Sequence, residues 1–263
     1  MNRRELLKII TTGAALELIP SVGGAKPVVP VKALIFDTFG TVVDWRGSII
    51  EEGKAWSKSK GFEIDWASFA DRWRAGYGPS MDKVRKGQLP WTKLDDLHRM
   101  ILDELLMEFR MIPALTEEEK DHLNRVWHRL KPWPDSVPGL RRLKKKFTIA
   151  PLSNGNVSLL ADMAKNAGIP WDLILSAELG KHYKPDRESY LTAVELLSLK
   201  PEEVMMTAAH VGDLNAARSF GLKTGFIHRP NEYGPTRQAD KANPGQFDVV
   251  SKDMNDLATQ LGA

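Results

Sequence analysis

The chain has 263 residues, 42% of them hydrophobic and 27% charged, with a net charge of +3. These proportions exclude a disordered, collagen-like or multi-span membrane protein, and at about 150 residues per domain the length allows one large domain or two small ones. The near-neutral balance gives no basic field for nucleic acid, and the absence of cysteine excludes disulfides, thiolate metal sites and a cysteine nucleophile.

Residues 1–25 read apart from the rest. Arg3 and Arg4 precede a mildly apolar run from Ile9 to Ile19; Pro20 ends it, and Gly23-Gly24-Ala25 supplies small residues. A charged start, a short apolar stretch and a small-residue exit form an export signal, and the weak hydrophobicity with Glu17 inside the run favours the twin-arginine route. That implies a periplasmic or secreted protein. The alternative is an amphipathic amino-terminal helix on a cytoplasmic one. The run is too short to span a bilayer, which takes about 20 residues.

Val31 to Phe36 is a short apolar run between Pro30 and Gly40 and reads as a buried strand. From Ser48 to about Leu130 strand-like runs vanish. Helical periodicity takes over, with Trp56, Trp66, Trp73, Trp91 and Trp127 among charged residues. Leu94, Leu97, His98, Ile101, Leu102, Leu105 and Leu106 fall on one helical face, and Thr116-Glu117-Glu118-Glu119 reads as a capping box. Pro132, Pro134 and Pro138 mark a return to alternation. Strands are expected at Phe147–Leu152, Leu173–Ser176, Val204–Ala208 and Thr224–Ile227, with helical patterns between them and at Asp253–Leu261. Such alternation implies parallel strands with crossover helices. The expected architecture is an α/β core, residues 31–48 and 131–263, with an all-helical cap, residues 49–130, inserted after the first strand.

Open α/β sheets bind ligands beyond the carboxyl ends of their strands. Asp37 follows the first strand, Ser153 and Asn154 the second, and His210 and Asp213 the strand at Val204–Ala208; Lys184 lies in the loop HYKPD. Four loops thus converge on one edge with two carboxylates and a lysine. Asp37, between Phe36 and Phe39 and before the Gly40-Thr41 turn, is poorly solvated. Its charge needs donors or a cation, which Lys184, Thr41 and backbone N–H groups can supply, and a desolvated ionised carboxylate is a good nucleophile. The plainer reading is an aspartate that caps the next helix. The chain contains no GxxxxGK[ST], GxSxG or HExxH, and its six histidines have no metal-ligand spacing.

DTFGT, SNGN, KPD and AAHVGDL, spread over residues 37–214, resemble the four motifs of the haloacid dehalogenase superfamily. The resemblance implies a Rossmann-like core, a cap over the active site and an aspartate that forms a covalent ester. Asp37 matches the nucleophile, Ser153 the second motif, Lys184 the third and Asp213 the fourth. The phosphatases of the superfamily carry an aspartate two residues past the nucleophile to protonate the leaving alkoxide, where this chain has Phe39; Ala217 stands four residues past Asp213, where a further acidic residue is often found. A halide ion needs no proton to leave, and fewer carboxylates weaken the case for magnesium. The chain therefore resembles the L-2-haloacid dehalogenase branch, which implies hydrolysis of (S)-2-haloalkanoates to (R)-2-hydroxy acids without metal or cofactor. A magnesium-dependent phosphatase and an inactive binding protein are the alternatives.

Carried over motif by motif, Asp37 attacks C2 and water, handled by Asp213, hydrolyses the ester. Lys184 holds both carboxylates, and Thr38, Thr41, Ser153 and Asn154 bind the substrate carboxylate or the nucleophile. Arg74, with Arg72 and Arg85 as rivals, is the halide cradle, and Tyr190 lines the pocket. His210 replaces the asparagine of some members and donates to the ester carbonyl, helps handle the water, or merely packs beside Asp213. Gly212, where other members carry tryptophan, predicts a pocket that tolerates C2 substituents larger than methyl. The family also implies a possible homodimer.

Overall fold

The computed structural model describes residues 30–109, 115–235 and 237–263, so the expected export signal at residues 1–25 lies outside the described residues. The elements run β1 (Ala33–Phe36), β2 (Val43–Asp44), α1 (Trp45–Lys60), α2 (Trp66–Arg85), α3 (Leu94–Glu108), α4 (Glu117–Asn124), β3 (Lys131–Pro132), α5 (Ser136–Leu143), β4 (Thr148–Ser153) and α6 (Val157–Ala167). They continue with β5 (Leu175–Ser176), α7 (Ala177–Gly180), α8 (Arg187–Leu196), β6 (Val204–Ala208), α9 (Val211–Ser219), β7 (Lys223–Ile227), β8 (Val249–Ser251) and α10 (Met254–Gln260). A 3-10 turn at Arg125–His128 leads from α4 to β3. Among the described residues no helix is long and apolar enough to cross a membrane.

Six strands form a parallel sheet in the order β5-β4-β1-β6-β7-β8. β1 is buried throughout because both of its faces are covered. Leu34 and Phe36 join one apolar cluster and Ile35 the other, the two-residue alternation of a strand. From β1 the chain builds outward to β4 and β5, then crosses to β6 on the other side of β1. That reversal opens a crevice at the carboxyl ends of β1, β4 and β6.

The chain leaves and re-enters the sheet through a two-stranded antiparallel stem, with Val43 opposite Pro132 and Asp44 opposite Lys131. Asp44 caps α1, its carboxylate accepting from Gly47 N at 2.8 Å, so this helix already starts three residues before Ser48. Thr116 and Glu119 form the expected reciprocal capping box on α4. Helices α1 to α4 pack through a ring cluster of Trp45, Trp66, Phe69, Trp73 and Trp127, each at most 1% exposed. Phe39, from the loop after β1, enters that cluster edge-on to Trp127 at 5.6 Å between centroids. A polar latch fastens α3 to the sheet side: His128 touches Asp95 at 3.0 Å and Asp162 at 2.9 Å, and Asn156 donates to Asp95 at 2.8 Å.

Candidate active site

Asp37 is the residue immediately beyond β1, held by its own N–H on Thr207 O at 2.9 Å. Its Oδ2 accepts from the Thr41 hydroxyl at 2.7 Å and lies 3.0 Å from His210 Nδ1, and its Oδ1 accepts from Lys184 Nζ at 3.0 Å. Lys184 Nζ also donates to Asp213 Oδ2 at 2.5 Å, and Asp213 Oδ1 accepts from the Tyr190 hydroxyl at 2.6 Å. One ammonium is thus bracketed by two carboxylates brought from residues 37 and 213. The Lys184–Pro185 peptide is cis, and Asn154 Oδ1 fixes the loop by accepting from Lys184 N at 2.7 Å.

Burial alone would raise the Asp37 carboxyl, but the Lys184 ammonium, the His210 hydrogen bond and the Thr41 hydroxyl reverse that and hold it well below the usual carboxylate range. Burial would lower Lys184, yet Asp213 and Asp37 raise it above its ordinary value. Asp37 is therefore an ionised carboxylate with little water around it, 7% exposed.

His210 is bound on both sides. Its Nε2 lies 3.0 and 3.1 Å from the two oxygens of Glu232, a residue 1% exposed on the loop after β7. Burial works against its protonation, but the hydrogen bonds it donates to the Asp37 and Glu232 carboxylates push it from 6.5 up to about 10. A raised folded value means stabilisation that is complete below the unfolded value of 6.5 and is lost as pH rises through about 10. The melting temperature of the protein should accordingly fall between pH 7 and pH 10, and that of His210→Asn should change less over the same span. Parallel curves would contradict this pairing.

These groups face a cavity of about 480 Å³ that is also lined by Arg74, Tyr77, Met81, Arg85, Asn154 and Gly212. Arg74 stacks over the Tyr77 ring at 4.2 Å, and its Nη1 is buried with no hydrogen-bond partner among the described residues. Arg85 reaches the same cavity but is engaged with Asp82, Asp186 and the Lys184 carbonyl. Arg72 points elsewhere, exposed and paired with Glu108. A Cβ built on Gly212 would meet nothing within 4 Å, so the wall is open at that position. Ala217 is fully buried in the apolar cluster under β6, and Phe39 is 2% exposed.

Of the residues singled out in the sequence, Asp37, Thr41, Asn154, Lys184, Tyr190, His210 and Asp213 form one connected hydrogen-bonded group, and Arg74 lines the same cavity. Ser153 and Thr38 stand apart from it. Ser153 is fully buried and its hydroxyl accepts from Gly155 N at 3.1 Å, while the Thr38 hydroxyl is buried without a partner among the described residues. Tyr77 and Glu232 are additions that the sequence reading lacked. Tyr77 sits three residues after Arg74 on α2, the spacing that shares a helix face.

A model of the haloacid dehalogenase-like hydrolase family matches residues 31–221. The crystal structure of a defluorinating L-2-haloacid dehalogenase is similar with a TM-score of 0.85 at 51% identity, covering 89% of this chain and 96% of that one. A second L-2-haloacid dehalogenase structure gives 0.85 at 48% identity, covering 88% and 99%. (S)-2-haloacid dehalogenase 1 of Pseudomonas sp. (strain CBS-3) is 29% identical over 78% of this chain and 88% of its own length. The chain belongs to the haloacid dehalogenase-like hydrolase family, in its L-2-haloacid dehalogenase branch.

Proposed function

We propose that the chain is an (S)-2-haloacid dehalogenase, hydrolysing a 2-haloalkanoate to the (R)-2-hydroxy acid and halide through an aspartyl ester. The observation that carries this reading is Asp37: an ionised, buried carboxylate in the lining of a cavity, with an aromatic ring two residues on where a proton donor would serve an alkoxide. Asp37 attacks C2 opposite the halogen, and the halide departs with the bonding pair. Inversion follows from that backside approach. Asp213 then takes a proton from the water that adds to the ester carbon; each of its oxygens already accepts one hydrogen bond and keeps a lone pair for the water. Arg74, with a buried unpartnered N–H on the cavity wall, receives the substrate's halogen or carboxylate. Lys184 supplies fixed positive charge between the two carboxylates, so the scheme needs no metal ion. The leader at residues 1–25 makes a periplasmic or secreted location part of this reading, which amino-terminal sequencing of the exported protein tests. A homodimer is part of it too, and the sedimentation mass tests that.

The decisive assay is halide release from (S)- and (R)-2-chloropropionate with and without EDTA. Release from the (S) acid alone, unchanged by chelator, is expected; loss of activity with EDTA, or rapid phosphoester cleavage without halide release, favours the phosphatase reading. Two substrates extend the panel. 2-Chlorobutyrate should be hydrolysed faster than 2-chloropropionate, because the wall at Gly212 is open; equal or slower hydrolysis would contradict this. Fluoroacetate belongs in it because the relative with 51% identity is described as defluorinating, and a fluoride leaving group depends on a strong donor such as the free N–H of Arg74.

A further inference from the structure

Both ring nitrogens of His210 face carboxylates: Nδ1 is 3.0 Å from Asp37 Oδ2, and Nε2 is 3.0 and 3.1 Å from Glu232. A neutral imidazole carries one N–H and cannot donate in both directions, so between two ionised carboxylates this arrangement takes the imidazolium. An imidazolium has no lone pair with which to take a proton from water. What it offers Asp37 is a donor aimed at one oxygen. Oδ2 thus receives two donors, His210 and Thr41, whereas Oδ1 receives only Lys184.

Glu232 is built into this position. It comes from the loop after β7, 22 residues beyond His210, and is almost fully buried. Trp45 Nε1 donates to its Oε1 at 3.3 Å. Gly40, at φ +87°, leaves room for it: a Cβ at that position would lie 2.2 Å from Glu232 Oε1. Thus the turn that follows the nucleophile, the first tryptophan of α1 and the loop after β7 converge on one carboxylate whose charged partner is His210.

We propose that Glu232 is a positioning residue for the second half of the reaction, holding His210 as a cationic donor so that, with Thr41, it forms an oxyanion site at Asp37 Oδ2. This rests on the aspartyl-ester reading and assigns the two oxygens of the nucleophile. Oδ1, with the fewer donors, forms the bond to C2 as the C2–halogen bond breaks. Oδ2 becomes the ester carbonyl. When water adds to Cγ, one water proton passes to Asp213 and the carbonyl electron pair moves onto Oδ2, where the His210 N–H and the Thr41 hydroxyl receive it. Collapse breaks Cγ–Oδ1, the departing hydroxy-acid oxygen takes the proton from Asp213, and Asp37 sheds its own proton to solvent. The water oxygen stays on Asp37.

The test separates the two half-reactions. Purified wild type, Glu232→Gln, Glu232→Asp and His210→Gln are mixed with (S)-2-chloropropionate, and halide is followed by rapid quench while the protein is weighed by intact mass spectrometry. In Glu232→Gln and His210→Gln the first equivalent of halide should appear at close to the wild-type rate. Steady-state turnover should then fall by about 10²-fold, the scale for losing one oxyanion donor. A protein species heavier by one propionate unit should accumulate. Glu232→Asp, which keeps the charge, should recover part of the turnover. If the variants lose the burst and the steady state in equal measure and no adduct forms, the assignment to the second step is wrong. It is also wrong if Glu232→Gln turns over like wild type. If wild type itself releases no halide, the dehalogenase reading fails, and this proposal with it.

Discussion

Asp37→Asn should lower halide release by about 10⁴-fold or more, because the amide cannot serve as the attacking oxyanion and the neighbouring carboxylate, Asp213, is held by Lys184 and Tyr190. The variant should still fold. Around the nucleophile three carboxylates, Asp37, Asp213 and Glu232, face three cations, Lys184, His210 and Arg74. Removing the charge of Asp37 strands none of the cations, since Lys184 keeps Asp213 and His210 keeps Glu232. The circular dichroism spectrum should therefore match wild type and the melting temperature should move only slightly. Halide release within ten-fold of wild type would mean that another group attacks the substrate.

Lys184→Met should have the larger structural effect. The methionine fills much of the same volume but leaves Asp37 and Asp213 buried together without the ammonium that now sits 3.0 and 2.5 Å from them. Removing one partner of a buried ion pair costs about 3–5 kcal/mol. For a chain of this size that corresponds to a melting temperature lower by about 6–20 °C. Turnover should also drop by at least about 10²-fold, since the fixed charge between nucleophile and base is gone. The gap in stability between the variant and wild type should narrow on acidification. Lys184 is the largest of the groups that oppose the burial of Asp37, ahead of His210 and Thr41; without the lysine the carboxyl takes up a proton at milder acidity than in wild type and so relieves part of the unpaired charge. Differential scanning calorimetry at pH 5 and pH 8, beside halide assays, reads both effects. Equal melting temperatures for variant and wild type at pH 8 would show that the lysine carries no such load.

Much of this site was legible because it depends on local pattern. The runs ending at Phe36, Leu152 and Ala208 are apolar on both faces, which marks parallel strands, and the polar residues that follow each run lie at the carboxyl edge by topology alone. The strand at Val249–Ser251 was missed. It has three residues at the sheet edge, two of them only half-buried, too short for any periodicity to register. The stem strands at Val43–Asp44 and Lys131–Pro132 are shorter still and exist only because the chain must leave and rejoin the sheet at one place.

Glu232 was missed for a different reason. Its partners are 22 and 187 residues away, and nothing in RPNEYG marks a carboxylate as buried. A signal was nevertheless present. The same rule that picked out Asp37, Asn154 and His210 applies to the loop after the strand ending at Ile227, and it would have brought Arg229 and Glu232 forward. Arg229 turns out to brace the stem, donating to Thr41 O at 2.8 Å and to Asp135 at 2.7 Å. The positions of Ser153 and Thr38 show the converse limit. Motif spacing places a hydroxyl near the nucleophile, but only side-chain torsions decide whether it points there.

The role of Phe39 depends on packing rather than on sequence alone. Its ring is locked edge-on among Trp127, Tyr77 and His98, which joins the nucleophile loop to the helical cap. Burial depresses His98 to about 3, so that neighbour is a neutral ring at working pH and not a substitute acid. With no proton donor in that slot, the leaving group has to be stable as a bare anion.

The most direct test of covalent catalysis by Asp37 is a single turnover of (S)-2-chloropropionate in H₂¹⁸O with enzyme in excess. The lactate formed should carry no ¹⁸O, because its hydroxyl oxygen comes from the Asp37 carboxylate, and the label should be found in the peptide that contains Asp37. Lactate labelled in that first turnover would mean that water attacks C2 directly, and the aspartyl-ester account would be wrong.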